Sequence, residues 1–275
     1  MKIVVEKKYE GLMLKEFLPY FDVSKKALKA IKSKGKIKVN GELVNVLRKL
    51  NDQDVVEIIF PVEESQIVAT PMVLDIYYED DDYIILNKPA GLAVLPTKRH
   101  YGQSLSNGLM AYYQKNNIQA TIHLVNRLDR DTTGLMIVAK NRYSHALLSK
   151  DIKQVSRIYH ALVEGEIKKS GTVDAAILSV SGQYQRVIDI DGKNAITHYK
   201  PLHYDGKNTL VECILETGRT HQIRLHMKTL GHPLVSDKAY GANDVGQYYL
   251  DSVQVSFFHP IQKKLLIIKK NKKVD

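Results

Sequence analysis

The 275-residue sequence predicts an α+β chain, a largely antiparallel mixed sheet with few helices, preceded by a small α/β module. Three observations carry this expectation. Segments patterned like strands outnumber helical ones and do not alternate with them regularly, which disfavours a doubly wound parallel sheet. The first 60 residues have their own apolar pattern and their own charge. A stretch containing Pro61, Glu63, Glu64 and Pro71 then reads as a linker. The expected division is a module at 1–60, a linker at 61–74 and a larger domain at 75–275.

In the module, Ser24 can cap a helix whose Ala27, Leu28 and Ile31 form an inward stripe, while Lys25, Lys26, Lys29 and Lys32 occupy the remaining positions. Gly35 ends it. Lys36-Ile37-Lys38-Val39 alternates like a half-buried strand, and Asn40-Gly41 signals a hairpin because both residues accept positive φ. Between Ser24 and Asn40 stand seven lysines and no acid. A basic helix beside a basic hairpin fits RNA, against the blander reading of a solvated lysine face.

The larger domain opens with strands at 76–78 and 83–88, a hairpin turning at an acidic tetrad, followed by a Pro-Gly turn at Pro89-Ala90-Gly91. Further strands are expected at 134–139, 157–163, 186–190, 194–200, 209–216 and 253–258. Helices are expected near 102–115, 142–150 and 220–230. In the last of these Thr220 is the expected cap, Ile223, Met227 and Leu230 the apolar face, and Gly231 the stop. His221, Arg224 and Lys228 then share a neighbouring cationic face. The lysine-rich tail at 269–273 is expected to fray.

Forty Lys and Arg against thirty Asp and Glu give a formal charge of +10 and a pI near 9.3, so the long-range field attracts polyanions, with nucleic acid the leading candidate. No stretch approaches the roughly twenty apolar residues of a membrane span. The start, MKIVVEKKYE, lacks the apolar core of a signal peptide. The single cysteine, Cys213, excludes an intrachain disulfide framework and reads as a small apolar strand residue. The cytoplasm is the expected compartment. Ten histidines do not make a metal site: His221 and His226 are five apart, on different helix faces, and no His-Glu-x-x-His occurs. Neither GxxxxGK[ST] nor GxGxxG is present, so no metal and no cofactor is expected.

The chemistry is concentrated in three segments. Asn126-Arg127-Leu128-Asp129-Arg130-Asp131-Thr132-Thr133-Gly134 sets Asp129 between two arginines on a turn that feeds an apolar strand. Asp131 reads as a turn residue accepting backbone N–H groups. By itself such a turn is more often a connection than a catalytic loop. Tyr159 heads the second segment, Tyr-His-Ala-Leu-Val-Glu-Gly, and by periodicity alone is a half-buried sheet residue. The third is Thr217-Gly218-Arg219-Thr220-His221-Gln222-Ile223-Arg224.

Together the three resemble the RluA/RluD family of pseudouridine synthases, in the family's order, over residues 75 to about 260. The basic module resembles the alpha-L RNA-binding module of a small-subunit ribosomal protein and of bacterial tyrosyl-tRNA synthetase. The resemblance implies isomerisation of uridine: the N1–C1′ bond breaks, the base rotates, and C5 joins C1′, with no cofactor. It implies that Asp129 is the essential carboxylate, that Arg224 keeps it ionised, and that Tyr159 lies against the target base. Arg127 matches a residue that helps displace the nucleotide from its stack. Arg219 is expected to meet phosphate or a backbone carbonyl, and His221 and the lysines, including Lys36 and Lys38, to bind RNA.

Three positions depart from the family pattern: Asn126 and Leu95 replace common histidines, and Ser236 a common glycine. Family habit favours large-subunit ribosomal RNA, acted on by a monomer. The alternatives are a transfer-RNA-directed synthase, a ribosome assembly factor that keeps the fold without turnover, and a glycoside hydrolase, whose second carboxylate is not evident.

Overall fold

The computed structural model describes residues 1–97, 101–150, 152–243 and 246–270. They form two compact units: residues 1–66 with 118–121, and 67–117 with 122–275. The expected frayed tail at 271–273 lies outside the described residues.

The first unit runs β1 (Lys2–Val4), α1 (Leu14–Phe17), α2 (Lys25–Lys34), β2 (Lys36–Val39), β3 (Glu42–Leu43) and β4 (Val55–Ile59). Its strands make one antiparallel sheet in the order β1-β4-β2-β3. Leu14, Phe17, Ile31, Leu50, Val56 and Ile58 are buried in its core. The Ser24 hydroxyl accepts the Ala27 N–H at 3.1 Å, so α2 begins where the capping rule puts it. Gly35 closes α2 in an extended conformation, and its need is for space, because a Cβ there would press on the Ile59 carbonyl. Asn40 and Gly41 take φ values of 52° and 87°, the mirror-image turn that suits a two-residue hairpin. Lys25, Lys26, Lys29, Lys32 and Lys36 are exposed and Lys38 is half-buried.

The second unit contains β5 (Asp75–Glu79), β6 (Tyr83–Lys88), α3 (Leu105–Lys115), β7 (His123–Leu124), β8 (Thr133–Ala139), α4 (Arg142–Lys150), β9 (Ser156–Glu164), β10 (Gly171–Asp174) and β11 (Ile177–Ser179). It continues through β12 (Arg186–Ile188), β13 (Ile196–Tyr204), β14 (Asn208–Leu215), α5 (Gln222–Thr229), β15 (Leu250–His259) and β16 (Lys264–Lys269). The large sheet has the order β10-β13-β14-β9-β15-β8-β6-β5, with β16 paired to β15 and β7 to β8. Every described pair in it is antiparallel except β8 with β15, so the α+β expectation holds. Leu135 to Ala139 form a continuous apolar run because β8 is buried on both faces, packed with Tyr83, Ile85, Val255 and Phe257. The parallel contact depends on Gly134, at φ 107°: a Cβ there would overlap the Ser252 backbone.

The junction before α5 departs from the expectation. The helix starts at Gln222, and its N-cap is His221 in a left-handed conformation, φ 59°, not Thr220. The side chain of Gln222 organises this turn, accepting from the Arg219 N–H at 2.9 Å and the Thr217 hydroxyl at 2.8 Å while its amide donates to the Ile196 carbonyl. His221, Arg224 and Lys228 all lie against the Tyr240 ring, so they share a face as expected, and burial divides them. His221 and Arg224 are buried and Lys228 is exposed, because α5 packs against β12 and β13 and faces carboxylate and tyrosine partners. Among the described residues no helix is long and apolar enough to cross a membrane.

Candidate active site

Asp129 lies in the loop from β7 to β8, which is pinned at several points. Leu128 beside it is buried, and Gly134 fixes the loop's exit against β15. Asn126 accepts the Ile137 N–H at 2.8 Å through Oδ1, tying the loop's start to β8. Lys88, fully buried at the end of β6, donates from Nζ to the carbonyls of Arg130 at 2.8 Å, Pro89 at 2.8 Å and Leu92 at 3.0 Å. Burial pushes the Lys88 ammonium down to about 8, against the pull of Asp131 and Asp129. Asp131 accepts from the exposed Arg130 guanidinium, so its partner is a side chain and not the backbone expected from the sequence.

Arg224 reaches this loop from α5. Its Nε and Nη2 donate to the two oxygens of Asp237, at 2.6 and 2.7 Å, its Nη1 donates to the Tyr184 hydroxyl at 3.3 Å, and the same Nη1 lies 3.6 Å from Asp129 Oδ2. Burial works against its charge, but the hydrogen bonds to Asp237 and Tyr184 prevail and hold the guanidinium protonated. His221 completes the cluster, with Nε2 3.9 Å from Asp129 Oδ2. Burial lowers its pKa, opposed by Asp129 and reinforced by Arg224 and Arg186. The Tyr240 hydroxyl accepts the Arg186 N–H at 2.9 Å and is hydrogen-bonded to His221 Nδ1 at 2.8 Å, with the direction of that bond set by the imidazole tautomer.

These groups open into a cleft of about 660 Å³, room for a nucleotide and surrounding water. Tyr159 of β9 lines it, 5 % exposed, its hydroxyl pKa raised by burial with Arg157 opposing. Among the described residues lining the cleft, Asp129 is the only carboxylate, and six are arginines: Arg127, Arg130, Arg157, Arg186, Arg219 and Arg224. One acid in a strongly cationic cleft suits a polyanionic substrate and lacks the second carboxylate of a glycosidase.

The RNA pseudouridylate synthase family model matches residues 82–229, more than half of the chain. A Bacillus subtilis protein described as an uncharacterized RNA pseudouridine synthase, YjbO, is 39% identical over 262 residues, 92% of this chain and 93% of the relative. The chain belongs to the RNA pseudouridylate synthase family. The ribosomal large subunit pseudouridine synthase D of Vibrio cholerae is 35% identical over 266 residues, 88% of this chain and 81% of that protein. In fold, this synthase is similar to the human RNA pseudouridylate synthase domain containing 1, with a TM-score of 0.59 at 23% identity over 76% of this chain and 86% of that one.

Of the residues singled out in the sequence of this pseudouridine synthase, Asp129, Arg224, Tyr159, Arg127, Arg219 and His221 all line the one cleft. Arg127 is exposed there, and Arg219 donates from Nε to the Asn194 carbonyl at 3.0 Å. The lysines 25, 26, 29, 32, 36 and 38 belong to the first unit. Sequence reasoning missed Lys88, Arg157, Tyr184 and Asp237. The available signals were slight: a lysine closing an apolar strand, an arginine two positions before Tyr159 on the same strand face, and an aspartate in the segment after α5. Cys213 is buried in β14, its thiol pushed up to about 12 by burial, which fits a packing role. One described trio could in principle hold a cation, Asp80, Asp82 and His259, but none of the three lines the cleft. Asp80 already accepts from Tyr78, His259 and Gln262, and Asp82 from Ser144.

Proposed function

We propose that this synthase converts uridine to pseudouridine in large-subunit ribosomal RNA, with Asp129 as the reacting carboxylate. The observation that carries the proposal is a lone carboxylate in a nucleotide-sized cleft, 3.6 Å from an arginine that Asp237 holds ionised. Arg224 offsets the desolvation of Asp129 when the base enters. Arg127, exposed at the cleft, takes the stacking space of the everted nucleotide and lowers the cost of extrusion, a few kcal/mol.

Reaction then requires the N1–C1′ bond to break, the uracil to turn, C5 to bond to C1′, and the C5 proton to leave as N1 gains one. Tyr159 packs on the detached base. Because burial raises its pKa, it assists by relaying a proton as a neutral hydroxyl and not as a phenolate. The residues that supply these steps are all side chains of the chain itself.

The first unit delivers the RNA: its exposed lysines on α2 and β2 come from an acid-free run between Ser24 and Asn40, consistent with an alpha-L RNA-binding module at 1–60 joined through 61–74 to a catalytic domain at 75–275. Similarity to a relative named for the large ribosomal subunit supports that target, and an activity on ribosomal RNA belongs in the cytoplasm, carried out by a monomer. The test is to map pseudouridine in total RNA from cells lacking the protein by carbodiimide adduct and primer extension. The expected result is loss at discrete large-subunit uridines, restored by purified protein without added metal or nucleotide. Loss confined to transfer RNA would contradict the target.

A further inference from the structure

Two of the six cleft arginines are buried, and they differ in one respect. Arg224 is neutralised by Asp237. Arg157, 4 % exposed on β9, leaves Nε and Nη2 without any hydrogen-bond partner. Buried polar groups are almost always satisfied, and a buried cation most of all, so this pair of donors, unfilled and shut off from solvent on a residue that lines the cleft, indicates a ligand that reaches them as the lining shifts. Asn126 adds a third unfilled donor, Nδ2, on the cleft's lining.

We propose that Arg157 is a phosphate-binding residue, gripping two non-bridging oxygens of the phosphodiester attached to the everted uridine. The proposal rests on the reading of the cleft as a uridine site and adds how the nucleotide is held in it. Three features favour phosphate. The free Nε–Nη2 edge is a fork of two parallel donors, matched by two oxygens of one anion. Neutral uracil alternates acceptor, donor and acceptor along O4, N3 and O2, so it fills one prong and opposes the other. Arg157 and Tyr159 also share one face of β9, two residues or about 7 Å apart, a span comparable with that from a pyrimidine ring to its own phosphate.

Gly218 makes room for this side chain. A Cβ at 218 would stand 2.9 Å from Arg157 Nη1, so glycine in the Thr217-Gly218-Arg219 turn lets the guanidinium lie against the loop. Alanine there displaces the fork without removing its charge.

The test compares uracil, uridine, uridine 5′-monophosphate and uridine 3′-monophosphate as probes, with dissociation constants read by equilibrium dialysis on the full-length protein. Wild type is expected to bind one of the monophosphates at least about tenfold more tightly than uridine, the range of a charge-assisted bidentate contact. In Arg157→Gln that preference disappears while uridine and uracil bind as before. Gly218→Ala reduces it, and Arg157→Lys retains part of it, so the ratio is still read if the glutamine variant does not fold. Equal binding of uridine and its phosphates by wild type, or a preference that survives in folded Arg157→Gln, overturns the proposal. So does a parallel loss of uracil, uridine and monophosphate binding, which would put the arginine on the base. Pseudouridine formation by the same wild-type preparation is measured separately. Its failure would remove the reading of the site, whereas turnover without a phosphate preference removes only the role of Arg157.

Discussion

Arg224 and Asp237 form a bidentate pair, at 2.6 and 2.7 Å, in which the carboxylate is 3 % exposed and lies outside the cleft. The arginine's orientation is therefore set from behind, and Asp129 is not consumed in holding it. Of this guanidinium Asp129 meets only Nη1, at 3.6 Å, beyond hydrogen-bond length.

Asp237→Asn removes the charge that permits a buried guanidinium. The expected cost is about 3–5 kcal/mol in unfolding free energy, because the remaining cation is uncompensated. Urea denaturation measures it. A change under about 1 kcal/mol would show that Arg224 finds another anion.

Gly134→Ala places a methyl group against the Ser252 backbone and forces a residue at φ 107° into strain. Loss of more than about 2 kcal/mol is expected, with turnover reduced further because the Asp129 loop ends at this contact. The thermal midpoint and the rate on total RNA are the readouts. An unaltered protein would mean that β8 and β15 separate freely.

Lys88 gives a dependence on pH. Folded Lys88 releases its proton near pH 8 and the unfolded chain's lysine near 10.5, so between these values the unfolded state holds more protons and this group adds stability as pH rises. Lys88→Met lacks that slope. The difference in unfolding free energy between wild type and variant should grow in favour of wild type by on the order of 2 kcal/mol across this window. Parallel curves would contradict a depressed lysine.

Much of the fold was legible because local periodicity decides it. The unbroken run at Leu135 to Ala139 demands a strand buried on both faces, and Asn40-Gly41 demands a hairpin turn. What was not legible depends on partners remote in sequence. Lys88 reads as a strand's polar end until the carbonyls of Pro89, Leu92 and Arg130 converge on it. Asp237 lies thirteen residues beyond Arg224, out of reach of any helix rule. Thr220 obeys the capping rule and still loses, because the side chain of Gln222 holds the turn and drives His221 into the left-handed region. Ser236 has φ 62°, and its hydroxyl bonds both ways with the Gly246 backbone.

Neutralising Lys25, Lys29 and Lys32 to Gln should weaken RNA binding and make it less salt-dependent. Each lysine–phosphate pairing removed lowers the slope of log affinity against log salt by about 0.7–0.9, so a fall of about 2 is expected for the triple variant. Affinity measured at several salt concentrations decides it, and an unaltered slope would mean that these lysines are merely solvated.

Asp129→Asn keeps the shape of the side chain and the surrounding Arg224 and His221 while removing the anionic oxygen pair, so the most direct measurement is pseudouridine formation by this variant on RNA from cells lacking the enzyme. The result predicted is RNA binding close to wild type with no pseudouridine formed. Turnover at the wild-type rate would contradict the account.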